Sequence, residues 1–208
     1  TGDPRFLVMT TKSGMIKKTS LEDFGNVRRT GIIGMKLKKD DLLKWVKMTS
    51  GKDEIIITSQ RGQAIRFKES QARPMGRTAG GVRAIRLKKD DEVSSMDIIP
   101  ASDPAFDAKN AKILTVMANG FGKQTRLSDY RIQGRGGSGI KTAKITTKTG
   151  TVIAAHLLTT EEELIAISAK GQIIRTRLAA VRTAGRATQG VKIMTLNSGD
   201  KVAGITCL

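Results

Sequence analysis

The sequence predicts an all-β protein: a propeller-like disc of four-stranded blades, with four repeats in the chain. Three observations carry that expectation. Glycines Gly14, Gly62, Gly120 and Gly171 follow one another at steps of 48, 58 and 51 residues, a period typical of stacked supersecondary units. Each sits between two β-like apolar runs, in Ser13-Gly14, Arg61-Gly62, Asn119-Gly120 and Lys170-Gly171, which is a hairpin signal because the turn needs the positive φ that glycine adopts cheaply. Fifteen residues beyond each turn glycine stands an arginine (Arg29, Arg77, Arg135, Arg186). Nineteen beyond, in the last three copies, stands another glycine (Gly81, Gly139, Gly190), matched two residues sooner in the first copy by Gly31.

The copies read as blades over residues 6–53, 54–111, 112–161 and 162–208. In the first, Phe6–Thr11 is a short β-rich run and Met15–Ser20 is the strand after the turn. A third run follows in every copy, at Ile32–Leu37, Val82–Leu87, Ile140–Ile145 and Val191–Leu196, and a fourth at Leu42–Met48, Val93–Ile99, Val152–Leu158 and Val202–Leu208. Four short strands in about 50 residues is the pattern of a propeller blade. Ala101–Ala111, flanked by Pro100 and containing Pro104, accounts for the longest step and reads as a surface connection. Lys38-Lys39-Asp40-Asp41, Lys88-Lys89-Asp90-Asp91 and Gly199-Asp200 place carboxylates at the turn between strands three and four, and Asp40, Asp41, Asp90 and Asp91, beside lysines, read as solvated turns rather than metal ligands. Basic residues instead fill strand two and the arginine–glycine loop. Each blade is therefore expected to have one cationic and one mixed edge.

The formal net charge is +18, a balance that favours polyanionic partners. The four blades carry nets of +6, +2, +6 and +4, so the charge belongs to the folded body rather than to a tail. Aromatic residues make up only 3% of the chain, too few for the stacking platforms that hold single strands or RNA loops. Duplex DNA held by its phosphates is the expected partner. Cys207 is the single cysteine, which excludes an internal disulfide and a cysteine-based metal site. No apolar stretch reaches the roughly 18 residues of a membrane span and no signal peptide is read, so the expectation is a soluble cytoplasmic protein with no membrane partner.

The most distinctive segment is the loop Gln133-Gly134-Arg135-Gly136-Gly137-Ser138-Gly139. Its glycines allow close backbone approach, and Arg135 supplies a fork suited to phosphate. It matches neither the dinucleotide nor the P-loop motif. His156, the single histidine, lies in an apolar fourth strand and reads as structural. Tyr130 occupies a core position, and Trp45 packs between blades. No constellation supports catalysis or a metal site, so the chain reads as a binding module. The candidate DNA-contacting residues are Lys17, Lys18, Arg28, Arg29, Arg66, Lys68, Arg73, Arg77, Arg83, Lys123, Arg126, Arg131, Arg135, Lys141, Arg175, Arg177, Arg182, Arg186 and Lys192.

Phe6–Thr19 with Arg29-Thr30-Gly31, Arg66–Ser70 with Gly80–Leu87, Asn119–Thr125 and Gly185–Val191 resemble successive blades of the C-terminal domain of the DNA gyrase A subunit. The resemblance spans nearly the whole chain. It implies a β-pinwheel whose neighbouring blades exchange a strand, with DNA wrapped around its basic rim. It also implies a parent type IIA topoisomerase that introduces negative supercoils. That parent would be an A2B2 complex with the B subunit, using ATP and Mg outside this domain, which itself needs no cofactor. The isolated domain is expected to be monomeric and the parent bacterial and nucleoid-associated. The four units resemble the last four of six blades. The family's signature box (glutamine, two arginines, two glycines, a variable residue, glycine) belongs to the first blade. Gln133–Gly139 approximates it in the third unit, with Gly134 in place of the second box residue, and reads as the cognate loop of a later blade. The corresponding subunit of topoisomerase IV carries a similar disc. A propeller scaffold for protein partners is the reading from a different class.

Overall fold

The computed structural model describes residues 5–26 and 29–208. Copy one contributes β1 (Phe6–Thr11), β2 (Met15–Ser20) and β3 (Leu43–Thr49). Copy two contributes β4 (Glu54–Ser59), β5 (Gln63–Lys68), β6 (Val82–Arg83) and β7 (Val93–Ile99). Copy three contributes β8 (Lys112–Met117), β9 (Phe121–Arg126), β10 (Ile140–Lys141) and β11 (Val152–Leu158). Copy four contributes β12 (Glu163–Ser168), β13 (Ile173–Arg177), β14 (Val191–Lys192) and β15 (Val202–Cys207). They form four antiparallel sheets, ordered β3-β1-β2-β6, β10-β5-β4-β7, β11-β8-β9-β14 and β13-β12-β15. Strands β3, β7, β11 and β15 pack on one another, so they form the hub and the sheets radiate from it.

Sheets and sequence copies do not coincide. The outer strand of each four-stranded sheet comes from the following copy: β6 pairs with β2, β10 with β5 and β14 with β9. Each exchanged strand is two residues long, shorter than the six-residue runs the sequence suggests. Beyond it the backbone leaves the ladder: Ala84 N donates to Gly14 O, and Arg86 N reaches Gly137 O in the next copy. Two expectations are corrected. Ile32–Leu37 is not a strand, because the described chain has no earlier sheet for it to join. Its Lys36 amide bonds Ala79 O instead. Among the described residues the fourth sheet has three strands, with no exchanged strand paired to β13.

The glycine nineteen residues past each turn now has a physical reason. Gly81, Gly139 and Gly190 have φ of +78°, +73° and +74°, and a Cβ on each would lie 2.4, 2.6 and 2.3 Å from the carbonyl oxygen of Ile16, Ala64 and Gly122. Only a residue without a side chain can start the exchanged strand that close to its neighbour.

Apolar residues between adjacent sheets form the core. Val8, Ile16, Ile55, Ile57, Ile65 and Phe67 pack between the first two sheets, with Trp45 against them. Ile113, Leu127 and Tyr130 pack with Ile56 and Ile99 between the second and third, and Leu114, Leu164 and Met194 between the third and fourth. Tyr130 is buried, as expected, with its hydroxyl 2.6 Å from Thr142 Oγ1. The 101–110 connection is exposed except for half-buried Phe106.

The carboxylates at the strand three–four turn are not all solvated, which corrects the reading of Asp41 and Asp91. Both are buried, as is Asp200, and each caps the glycine hairpin of its own blade. They accept the amides of Ser13, Arg61 and Lys170 at 3.0, 2.9 and 3.1 Å and the hydroxyls of Ser13, Ser59 and Ser168. Burial opposes ionisation of Asp41, but the bonds from Ser13, Thr11 and Leu42 hold its carboxyl below the usual range. Asp40 and Asp90 are exposed, at positive φ.

At the hub, Asp97 ties three blades together. Its carboxylate accepts from Lys47 Nζ at 2.7 Å and from the Leu157 amide at 2.9 Å, and lies 3.1 Å from His156 Nδ1. Glu161 lies 3.4 Å from His156 Nε2. The hydrogen bond to Asp97 lifts the half-buried His156 above its ordinary 6.5, against its burial and the Lys47 charge and with help from Glu161. Burial works against Asp97, but His156, Leu157 and Lys47 bring it down to about 2. A histidine raised on folding contributes stability that is complete below its unfolded pKa and is lost as pH rises through the folded value. The melting temperature is therefore expected to fall between about pH 6 and pH 8 by more in the natural chain than in His156→Gln. Parallel profiles would show that the pair adds nothing.

Candidate nucleic-acid interface

Strand two faces inward more than its charges suggest. The residue four beyond each turn glycine reaches into the next blade. Lys18 is buried and meets the buried Glu69 at 3.1 Å. Arg66 pairs with Glu54 at 2.6 Å and donates to the carbonyls of Leu127 and Tyr130 at 3.1 and 3.0 Å. Gln124 donates to Leu178 O at 2.6 Å. All three form an isolated parallel bridge to the next copy, with Pro74, Ile132 and Thr183. Arg175, the fourth of the series, meets no later blade among the described residues and binds Glu163 on its own sheet. The residue three beyond, Lys17 or Lys123, is wholly buried. Lys17, Lys18 and Lys123 are buried and the Arg66 side chain is largely covered, so these four are removed from the candidate DNA contacts: they join blade to blade inside the protein. Arg28 lies outside the described residues.

The arginines fifteen beyond the turn are of mixed character. Arg29 is exposed, while Arg77, Arg135 and Arg186 are half-buried. Arg135 donates through Nη1 to Arg83 O, and Arg186 through Nη1 to Lys141 O at 2.9 Å. These carbonyls belong to the exchanged strands β6 and β10, so both side chains brace the preceding copy. Arg135 also donates Nε–H to Gln71 O at 3.0 Å, and its amide to Gln71 Oε1 at 2.7 Å. A guanidinium has five N–H groups, so Arg186 keeps donors in excess of those used. The loop Gln133–Gly139 is part of this bracing: Gln133 N and Gly136 N donate to Arg66 O and Ala84 O.

The remaining candidates are exposed and periodic. Lys68, Arg126 and Arg177 stand six residues past their turn glycines; Arg73, Arg131 and Arg182 eleven past; Arg83, Lys141 and Lys192 twenty-one past, and all nine are exposed. The first row closes strand two, the second follows the 3-10 turn, and the third lies on the exchanged outer strand. Copy one has Ser20, Gly25 and Ile33 in these places. The cationic repeat is therefore built by copies two to four, on the outer edge of sheets whose inner edges meet at the hub. Sequence periodicity holds these three offsets, but the arginine at fifteen is more conspicuous because it lies beside glycine.

Radial sheets that exchange their outer strands, with cations repeated along the outside, define a repeat domain of the β-pinwheel class. Residues 5–50, 53–100, 112–159 and 162–208 each match the family described as DNA gyrase C-terminal domain, beta-propeller. The chain belongs to that family, the C-terminal domain of the DNA gyrase A subunit. It is 40% identical over 203 residues to the DNA gyrase A subunits of Staphylococcus aureus strains MRSA252 and N315, covering 98% of this chain and 22% of those proteins. Among solved structures it is similar to a DNA gyrase A C-terminal domain (TM-score 0.85, 25% identity, 99% of this chain and 66% of that one). It shares its fold with the C-terminal domain of a DNA topoisomerase IV (TM-score 0.89, 21% identity, 100% of this chain and 62% of that one).

Proposed function

We propose that this chain is a duplex-DNA binding, bending and wrapping module of a DNA gyrase A subunit. One observation carries the reading: nine exposed basic residues recur at three offsets along the outer edge of consecutive blades, while Asp41, Asp53, Glu54, Glu69, Asp91, Asp97 and Asp200 are buried. Such an edge neutralises phosphates at regular intervals without reading bases. Following it bends the duplex, at an elastic cost on the order of 1–6 kcal/mol for 40–90° over 20–30 base pairs, which the added contacts offset.

In the parent enzyme the wrapped DNA would be presented to the cleavage gate for ATP-dependent negative supercoiling, with the B subunit in an A2B2 complex and with ATP and Mg handled outside this domain. The module would add two further blades to the four seen here, act as a monomer when isolated, and work in the bacterial cytoplasm at the nucleoid. The 40% identity to a gyrase A protein favours gyrase over topoisomerase IV.

The test separates outer-edge cations from bracing ones. Arg131→Ala and Arg182→Ala should weaken binding to every duplex sequence alike and lower the salt slope by about one unit each. Their melting temperatures should barely move, since surface changes are usually within about 0.5 kcal/mol. Arg66→Ala should instead cost stability, because it leaves the buried-edge Glu54 and two carbonyls unpaired. Unchanged affinity in both surface variants would refute the proposed track.

A further inference from the structure

In alternate blades a buried lysine grips the arginine loop of the next copy. Lys17 Nζ donates to Gly34 O at 2.6 Å, to Gly76 O at 3.0 Å and to Arg77 O. Lys123 Nζ donates to Gly185 O at 2.7 Å, Arg186 O at 2.5 Å and Thr188 Oγ1 at 3.2 Å. Each ammonium spends its three donors, and in both cases two acceptors are the carbonyls of the loop arginine and of the glycine before it. The position does not require a charge to fold. In the other two copies Ile65 and Ile174 stand there, and Ile65 is fully buried. Burying an ammonium is costly where an apolar side chain fits, so the lysines call for a reason other than core filling. The loop after Ile65 is held differently, through Gln71 to the Arg135 amide.

We propose that Lys17 and Lys123 are positioning residues for DNA binding: each fixes the backbone of the next copy's loop and so sets where Arg77 or Arg186 meets a phosphate. This rests on the DNA-binding reading above. The charged group facing Lys123 is the Arg186 guanidinium, while Lys17 faces the Asp23 carboxylate as well as Arg77. Burial, and then Arg186, bring the Lys123 ammonium down to about 8, which gives the arrangement a pH signature of its own.

The experiment measures the affinity of the whole chain for a duplex of about 30 base pairs, in the natural chain, Lys123→Ile, Arg186→Ala and the double variant. Arg186→Ala should lose about tenfold, the size of one hydrogen bond to a charged group. Lys123→Ile should lose about the same, and the double variant no more than either single, because both remove one contact. Losses that multiply, or a Lys123→Ile chain that binds like the natural one, would overturn the proposal, as would a silent Arg186→Ala. A natural chain that binds no duplex would overturn the DNA reading itself. Raising the pH from about 7 to about 9 supplies a second measurement that does not depend on the isoleucine variant folding. Natural-chain affinity should fall across that window and fall less in Arg186→Ala. Equal pH profiles would contradict the proposal.

Discussion

Raising the salt from about 50 to about 200 mM is expected to lower affinity for duplex DNA by a factor of about 10³–10⁵, with little difference between sequences. The magnitude follows from counterion release: log K falls by about 0.9 per phosphate neutralised for each unit of log salt, and an edge of this size would engage roughly 6–10 phosphates. Nine exposed cations at three offsets fall in that range. Bidentate base contacts would add a salt-insensitive, sequence-dependent part, for which the outer edge offers short strands and loops rather than a helix. A shallow slope, or a strong preference for one short site, would refute phosphate-based binding.

Gly139→Ala is expected to cost about 2–5 kcal/mol, from about 1–2 for placing a side chain at positive φ and about 1–3 for displaced neighbours. The residue has φ +73°, and its Cβ would lie 2.6 Å from Ala64 O and 2.9 Å from Ala64 C, both backbone atoms that cannot swing aside. Relief of that contact would pull β10 from β5. Gly31, the first copy's counterpart, has φ +77° with nothing within 4 Å among the described residues. Gly31→Ala should therefore cost only the conformational part, about 1–2 kcal/mol. In a chain of this size 1 kcal/mol moves the melting temperature by about 2–4 °C, so thermal melts resolve the pair. Equal losses would mean that close strand exchange is not what the glycine serves.

These glycines also show what was legible in the sequence. The hairpin at Gly14, Gly62, Gly120 and Gly171 is local chemistry, and a periodicity search finds it. The glycine at nineteen and the arginine at fifteen stood out as fixed offsets, but their purpose lies in another copy, against Ala64 O or Lys141 O, where no local rule reaches. Strand exchange is invisible to periodicity, because Val82–Arg83 reads the same whichever sheet it joins; the family resemblance supplied it.

Charge was the least legible feature. Lys17 and Lys18 sit in a strand whose alternation would send one of them outward. Yet the Gly34 segment and the next copy's Gly76–Arg77 loop close over Lys17, and the next copy's Glu69 meets Lys18, so both side chains end buried. The acids misled in the opposite sense: Asp41 and Asp91 stand beside lysines and a turn, the usual setting of a solvated carboxylate, but they close the hairpin from within. What remained readable was the total. With buried cations and buried carboxylates both consumed internally, the outer edge keeps the positive excess that composition announced.

The measurement closest to the central claim is the end-to-end distance of a bound duplex. A duplex of about 30 base pairs labelled at both ends, far shorter than the DNA persistence length of about 150 base pairs, is nearly straight when free. If the outer edge holds DNA along its curve, saturating it with this protein should raise energy transfer between the ends, and Arg131→Ala with Arg182→Ala should reverse the change at matched occupancy. Bound DNA whose ends stay as far apart as in the free duplex would contradict wrapping, whatever its affinity.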